Sequence, residues 1–181
     1  MEIRRFREED SLEEISRIYA FCWKSDYRGI LPGDFLDSLP EDRWVPLLRA
    51  DSGRLLLALE GELVEGASTY GPARDPAMVG WGEVFSIYLR PSCRRRGVGT
   101  ALLSAALKEL RQLGFCRAYL WVLEENYSAR AFYEARGLSR SGDVREEERG
   151  GRRIRELRYT VSFPLRNKKM RSGIFCRSAF G

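Results

Sequence analysis

Histidine is absent from all 181 residues of the chain. The side chain that ordinarily titrates near neutral pH is therefore missing, and any acid or base must be a carboxylate, tyrosine, cysteine or lysine. Cysteine is sparse: Cys22, Cys93, Cys116 and Cys176 are widely scattered and form no C-x-x-C pair. With no histidine to join them, they suggest neither a zinc site nor a disulfide framework, and no metal ligand set is assigned. Also missing is any run of about twenty apolar residues that would span a bilayer. The opening residues Glu2, Arg4, Arg5, Glu8, Glu9 and Asp10 lack the apolar core of a signal peptide, so a cytoplasmic protein without a membrane partner is expected.

The length suits one ordinary domain that buries a sheet-and-helix core. Thirty-one basic residues face 26 acidic ones, a formal charge of +5 that reads as a mixed, solvated surface. Positive charge is concentrated in Arg94-Arg95-Arg96 and in the stretch from Arg166 to Arg171. The domain is expected to span residues 1–163, with residues 164–181 as a basic and apolar tail. In that tail Ile174, Phe175 and Phe180 are candidates to dock on the body or on a second subunit. Its few charges match no nucleic-acid module, and no nucleic-acid partner is expected.

Ile3 to Phe6 reads as a first strand. Asp10 and Glu13 have the spacing of a capping box, and Leu12, Ile15, Ile18, Tyr19 and Cys22 then recur at helical spacing. A second helical region with Phe35, Leu36, Leu39, Trp44, Leu47 and Leu48 contains Pro40 and Pro46 and is expected to break into short helices. Leu55 to Leu59 and Leu63 to Tyr70 form a hairpin around Gly61, and Gly71 to Gly80 is a loop. A strand from Trp81 to Leu89, a helix from Val98 to Leu113, a strand from Cys116 to Val122 and a helix from about Ser128 to Arg136 follow. Strands around Leu138 to Arg145 and Ile154 to Phe163 end the series. The order β-α-α-β-β-β-α-β-α-β-β predicts an α/β fold with a mixed central sheet and helices on both faces.

The strand that ends at Leu89 is followed by Arg90-Pro91 and a basic, glycine-containing turn, Arg94-Arg95-Arg96-Gly97-Val98-Gly99-Thr100, which opens a helix. Such a junction is an anion site: amide N–H groups point out of the helix end, the helix dipole adds about half a positive charge, and the arginines supply phosphate-matched donors. A dinucleotide turn would need a third small residue where Leu102 stands, and a nucleoside-triphosphatase loop would need a lysine that is not there.

The turn instead fits R-x-x-G-x-G. Together with Ile87-Tyr88-Leu89-Arg90-Pro91 and the later run from Asn126 through Phe132-Tyr133 to Leu138, it resembles the GNAT family of N-acetyltransferases, over roughly Ile3 to Phe163. The resemblance implies a GNAT-like fold and transfer of an acetyl group from acetyl-CoA to an amine. It implies that Arg94, Arg95, Arg96, Gly97, Val98, Gly99 and Thr100 hold the coenzyme A pyrophosphate. Ile87, Tyr88 and Leu89 would line the pantetheine arm on a bulged, splayed strand, Asn126 would hydrogen-bond that arm, and Tyr133 would be the general acid. A phenol of pKa about 10 suits protonation of a leaving thiolate.

Family members often place an acid on this strand facing the acceptor, which makes Glu83 the candidate base. Strand alternation puts Glu83, Phe85, Ile87 and Leu89 on one largely apolar face, where burial would raise the carboxyl pKa; an exposed carboxylate is the alternative. Trp23 and Tyr27 border the segment that flanks the acceptor cleft in the family and are candidates for an aromatic amine pocket, with core packing as the other role for Trp23. Asp26 is a further source of charge. Cys93, beside three arginines, is a candidate for a reactive thiol, though the direct transfer implied by the resemblance needs no acyl-cysteine. The acceptor is either a small-molecule amine or a peptide or protein amine, and the resemblance allows a homodimer. A coenzyme A-binding sensor without turnover is the alternative function.

Overall fold

Leu55 to Leu59 shows no apolar–polar alternation because both faces of its strand are buried, as a computed structural model of the chain shows; the structure describes residues 1–164. Leu55, Leu57 and Leu59 join a core beneath the first three helices, while Leu56 and Ala58 join a second core on the opposite face. That strand, β2 (Leu55–Glu60), lies between β1 (Glu2–Arg5) and β3 (Leu63–Pro72), with Gly61 at the left-handed turn of the β2–β3 hairpin. The sheet continues through β4 (Gly82–Leu89) and β5 (Arg117–Leu123) to β7 (Arg152–Ser162) and the edge strand β6 (Ser139–Arg149). Every neighbouring pair is antiparallel except β4 and β5. Helices α1 (Leu12–Asp26), α2 (Gly33–Asp37) and α3 (Val45–Ala50) cover one face, and α4 (Val98–Gln112) and α5 (Tyr127–Glu134) the other. The mixed α/β sheet is as expected, and the second helical region divides into two short helices, α2 and α3, as its prolines imply.

Local chemistry accounts for the differences at the helix ends. The cap of α1 is Ser11, whose hydroxyl accepts from the Glu14 N–H at 3.1 Å, so the capping pair lies one residue beyond Asp10 and Glu13. Asp10 instead accepts from the Arg4 guanidinium and from the Arg7 N–H, tying β1 to the turn. Pro46 opens α3 rather than interrupting it, where its missing N–H costs nothing. Buried Ser16 donates to the Glu41 carbonyl and accepts from the Trp44 N–H, which staples the irregular segment between α2 and α3 onto α1.

Two features of β4 set up everything that follows. It pairs with β5 at only two positions, Gly82 opposite Ala118 and Glu83 opposite Tyr119, and then the strands part. Against β3 its register slips: Tyr70 faces Val84 and Thr69 faces Ser86, which leaves Phe85 as the extra residue of a bulge. The bulge breaks the expected alternation. Val84, Ile87 and Leu89 belong to the α4 side, whereas Glu83, Ser86 and Tyr88 look toward α1, so Glu83 does not share a face with Ile87 and Leu89. Of the predicted tail only Pro164 is among the described residues; Ile174, Phe175, Phe180 and the basic run from Arg166 lie outside them.

Gly66 on β3 is where the strands touch most closely. A Cβ there would meet the Leu89 side chain at 2.5 Å and the Tyr88 carbonyl oxygen at 2.8 Å. Gly66→Ala should therefore destabilise the fold by about 1–3 kcal/mol in urea unfolding, the range for overpacking. A cost near zero would show that β3 and β4 spread freely at this point.

Candidate active site

After β4 the chain makes a short 3₁₀ turn, Pro91–Cys93, and then coils tightly, with left-handed backbone at Arg95 (φ 60°) and at Gly97 (φ 84°). Gly97 is the N-cap of α4 and offers no side chain, so the first amide N–H groups of the helix have no capping partner. Positive φ at a non-glycine residue is uncommon, and left-handed residues in a tight turn are the backbone element from which anion-binding nests of N–H groups are built. Open space surrounds Gly97, so glycine is needed there for conformation; Gly99 is needed for room, since a Cβ would lie 3.1 Å from the Leu89 side chain. Arg94 pairs with Asp26 at 2.8 Å and Arg96 with Glu60 at 2.9 Å, both largely exposed pairs of the weak kind that a ligand can displace. The Thr100 hydroxyl accepts from the Arg136 guanidinium at 2.8 and 3.0 Å, and Arg136 stacks on Phe132, which links this turn to α5.

The opening between β4 and β5 begins where the turn ends. Arg90 N–H bonds to the Glu65 carbonyl on β3, so by strand alternation the N–H groups of Leu89 and Ile87 face the other edge, from which β5 has withdrawn. Tyr88, expected beside them along the cofactor arm, turns its backbone to β3, and its phenol lies on the α1 side. From α5, Asn126 and Tyr133 reach the opening. Asn126 Oδ1 caps α5 by accepting from the Ala129 N–H at 3.1 Å, which leaves the amide NH2 for another partner. Tyr133 is half-buried, its ring against Phe132 and Tyr159, and burial pushes its phenol well above the ordinary range.

A cavity of about 590 Å³ runs through this opening to the α1 side of the sheet. Trp23 and Tyr27 line its far end with Tyr88: Trp23 Nε1 donates to the Tyr88 hydroxyl at 2.8 Å, and the Tyr27 and Tyr88 hydroxyls lie 3.2 Å apart. Burial raises the Tyr27 phenol to about 12. Trp23 also packs on Tyr27 and Trp44, so core packing and cavity lining are one role. Leu31, Trp44, Leu47 and Leu48 from the α1–α3 region complete this wall.

Glu83 reaches the same cavity, buried and held by donors instead of apolar neighbours. It accepts from the Arg74 N–H at 2.9 Å, the Arg74 guanidinium at 2.7 Å and the Tyr119 hydroxyl at 2.9 Å. Burial, with the Glu83 contact second, raises the Tyr119 phenol to about 12. Arg74 and Tyr119 were not identified from the sequence, and neither was the wall formed by β6 and β7. There Arg145 bonds Glu156 at 2.6 Å, Arg149 bonds Glu147 at 2.5 Å, and all four line the cavity. The tip of this hairpin rests on α2, where a Cβ on Gly150 would meet the Phe35 ring. The charged run Arg145-Glu146-Glu147-Glu148-Arg149 and the Gly150-Gly151 turn were the available signals.

Cys93 departs from expectation. It is 1 % exposed, its thiol contacts the Glu65 carboxylate, and burial pushes it above the ordinary thiol range, so proximity to arginines in sequence does not make it reactive. Cys22 is likewise buried, donates to the Leu89 carbonyl, and is raised to about 11.

Residues 12–138 match the family described as Acetyltransferase (GNAT) family. The chain is 34% identical over 137 residues to the uncharacterized N-acetyltransferase YuaI of Bacillus subtilis (strain 168), covering 74% of this chain and 77% of that protein. Among solved structures it resembles the PaiA N-acetyltransferase from Thermoplasma acidophilum in complex with coenzyme A, with TM-score 0.67, 21% identity, and 90% and 98% of the two chains covered. It also resembles yncA from Salmonella typhimurium, solved with acetyl-CoA, with TM-score 0.70, 18% identity, and 92% and 96% covered.

Iodoacetamide at neutral pH should leave Cys22 and Cys93 unmodified in the folded protein and modify both in urea, read by peptide mass mapping. Rapid labelling of folded Cys93 would contradict its burial against Glu65.

Proposed function

The chain belongs to the acetyltransferase (GNAT) family and is an acetyl-CoA-dependent acyltransferase, and from that premise we propose that it acetylates a primary amine by direct attack within a ternary complex. The observation that supports this reading most is the continuous cavity through the parted strands. One end meets Asn126 and Tyr133 on the α5 side, and the other meets Glu83 among aromatic side chains.

In this reading the amides of Arg95 to Thr100, with Arg94, Arg95 and Arg96, take the pyrophosphate. The backbone of Ile87 and Leu89 and the Asn126 amide take the pantetheine arm. Glu83 accepts a proton from the acceptor, and the neutral amine nitrogen attacks the thioester carbon, forming a C–N bond. A backbone N–H on the unpaired edge of β4 stabilises the oxyanion that develops. As the C–S bond breaks, the attacking nitrogen gives up its second proton to solvent, and Tyr133 gives its own proton to the departing thiolate and recovers one from solvent. Burial keeps the phenol protonated across the neutral range, so its proton is present to be given. Trp23 and Tyr27 wall the acceptor end.

Calorimetric titration with acetyl-CoA, followed by thiol release over a panel of amines and peptides, tests the reading. Gly97→Val places a branched side chain at φ 84° and should weaken acetyl-CoA binding about tenfold without unfolding the protein. Unchanged affinity would remove the turn from the phosphate site. Tyr133→Phe should lower kcat about 100-fold at unchanged acetyl-CoA affinity, the scale of a lost general acid. A fully active variant would take the acid role from Tyr133, and acetyl-CoA binding without thiol release from any acceptor would favour a sensor.

A further inference from the structure

The Glu83 carboxylate is held unevenly. Its Oε2 accepts from two fixed groups, the Arg74 backbone N–H and the buried Tyr119 hydroxyl. Among the described residues its Oε1 accepts only from the Arg74 guanidinium, at 2.7 Å. The Glu83 side chain is 3% exposed while that of Arg74 is 53% exposed. The same guanidinium lies over the Phe85 ring, 4.1 Å from its centre, and among the described residues it has no second ion pair. A cation on a long, half-exposed side chain thus occupies a spot made of a buried carboxylate oxygen and an aromatic face. That spot opens on the cavity that leads to the β4–β5 parting.

We infer that this spot is the subsite for the acceptor's ammonium group, and that the Arg74 guanidinium occupies it until an acceptor displaces it. The inference rests on the amine-transfer reading above and names the acceptor class: a primary alkylamine, protonated in solution, rather than an arylamine or a hydroxyl compound. Carboxylate and ring together recognise an alkylammonium, by a charge-assisted hydrogen bond and by attraction to the ring face. Displacement leaves the loop in place, because the Arg74 N–H and the Tyr119 hydroxyl still hold Oε2. The freed Oε1 lone pair then faces the ammonium. An N–H bond breaks, an O–H bond forms on Oε1, and the neutral amine is released toward the thioester while the proton passes on to water. Occupancy by Arg74 makes the open site a fraction of the population, which raises the apparent KM for the amine.

Arg74→Ala removes the guanidinium and keeps the backbone bond to Oε2; Arg74→Gln repeats the comparison with the side-chain length retained. With butylamine as acceptor, both variants should show a KM lowered about fivefold at a kcat within about twofold of the parent. Methylguanidinium should compete with butylamine in Arg74→Ala at concentrations that leave the parent unaffected. Activity restored by methylguanidinium would make Arg74 a positioning residue for Glu83 and overturn the inference; so would absence of competition. A readout independent of turnover is the Arg74 Nε–Hε NMR cross-peak of the coenzyme A complex, assigned by its loss in Arg74→Ala. Butylammonium should shift it saturably, and an unmoved cross-peak overturns the subsite. A shifted cross-peak with no thiol release from any amine would sink the transfer reading and leave the subsite standing.

Discussion

β4 and β5 hydrogen-bond side by side for two residue pairs and then separate, and the rest of the site depends on that separation. A strand inside a protein normally satisfies both edges, because an unpaired buried N–H or C=O costs free energy comparable to a lost hydrogen bond. Ile87 and Leu89 present one edge with no strand opposite. In the proposed function that edge is completed by the cofactor's extended arm, whose amide groups have matching polarity. The bulge at Phe85 assists by bending β4 at the point of parting, and it also rotates Glu83 to the side of the sheet opposite Ile87 and Leu89.

From this parting follow two chemically distinct ends of one cavity. On the α4 and α5 side, the uncapped helix start, two left-handed residues and Arg136 on Thr100 make a region suited to negative charge. On the α1 side, Tyr19, Trp23, Tyr27 and Tyr88 form a hydrogen-bonded aromatic wall, and charged pairs from the β6–β7 hairpin close over it. Several of these arginines lie over rings: Arg74 on Phe85, Arg145 on Trp121 and Arg149 on Trp23. The α1 side of the cavity therefore combines cation-binding faces with carboxylates, which is why the proposed function puts a positively charged acceptor there.

Much of the fold was legible in the sequence because its signals are local. Leu12, Ile15, Ile18, Tyr19 and Cys22 declare the buried stripe of α1, and the glycines of the Arg94 to Thr100 turn declare a helix start without a capping side chain. What escaped depends on register or on long-range contact. A bulge costs one residue of pairing and leaves no mark in composition, so alternation placed Glu83 on the wrong face. The partners of Glu83 come from a loop, Arg74, and from a strand 36 residues away, Tyr119. The charged hairpin strands read as solvated surface, because nothing local says that Gly150 rests on Phe35. Cys93 shows the same limit: its arginine neighbours in sequence point outward, and its neighbour in space is Glu65.

The central claim is that acetyl-CoA lies along the exposed edge of β4 with its phosphates at the start of α4. Amide hydrogen exchange with and without acetyl-CoA tests it directly. Protection gained at Ile87, Leu89 and the amides from Arg95 to Thr100 is the predicted result. Binding that leaves all of these amides exchanging as in the free protein would contradict it.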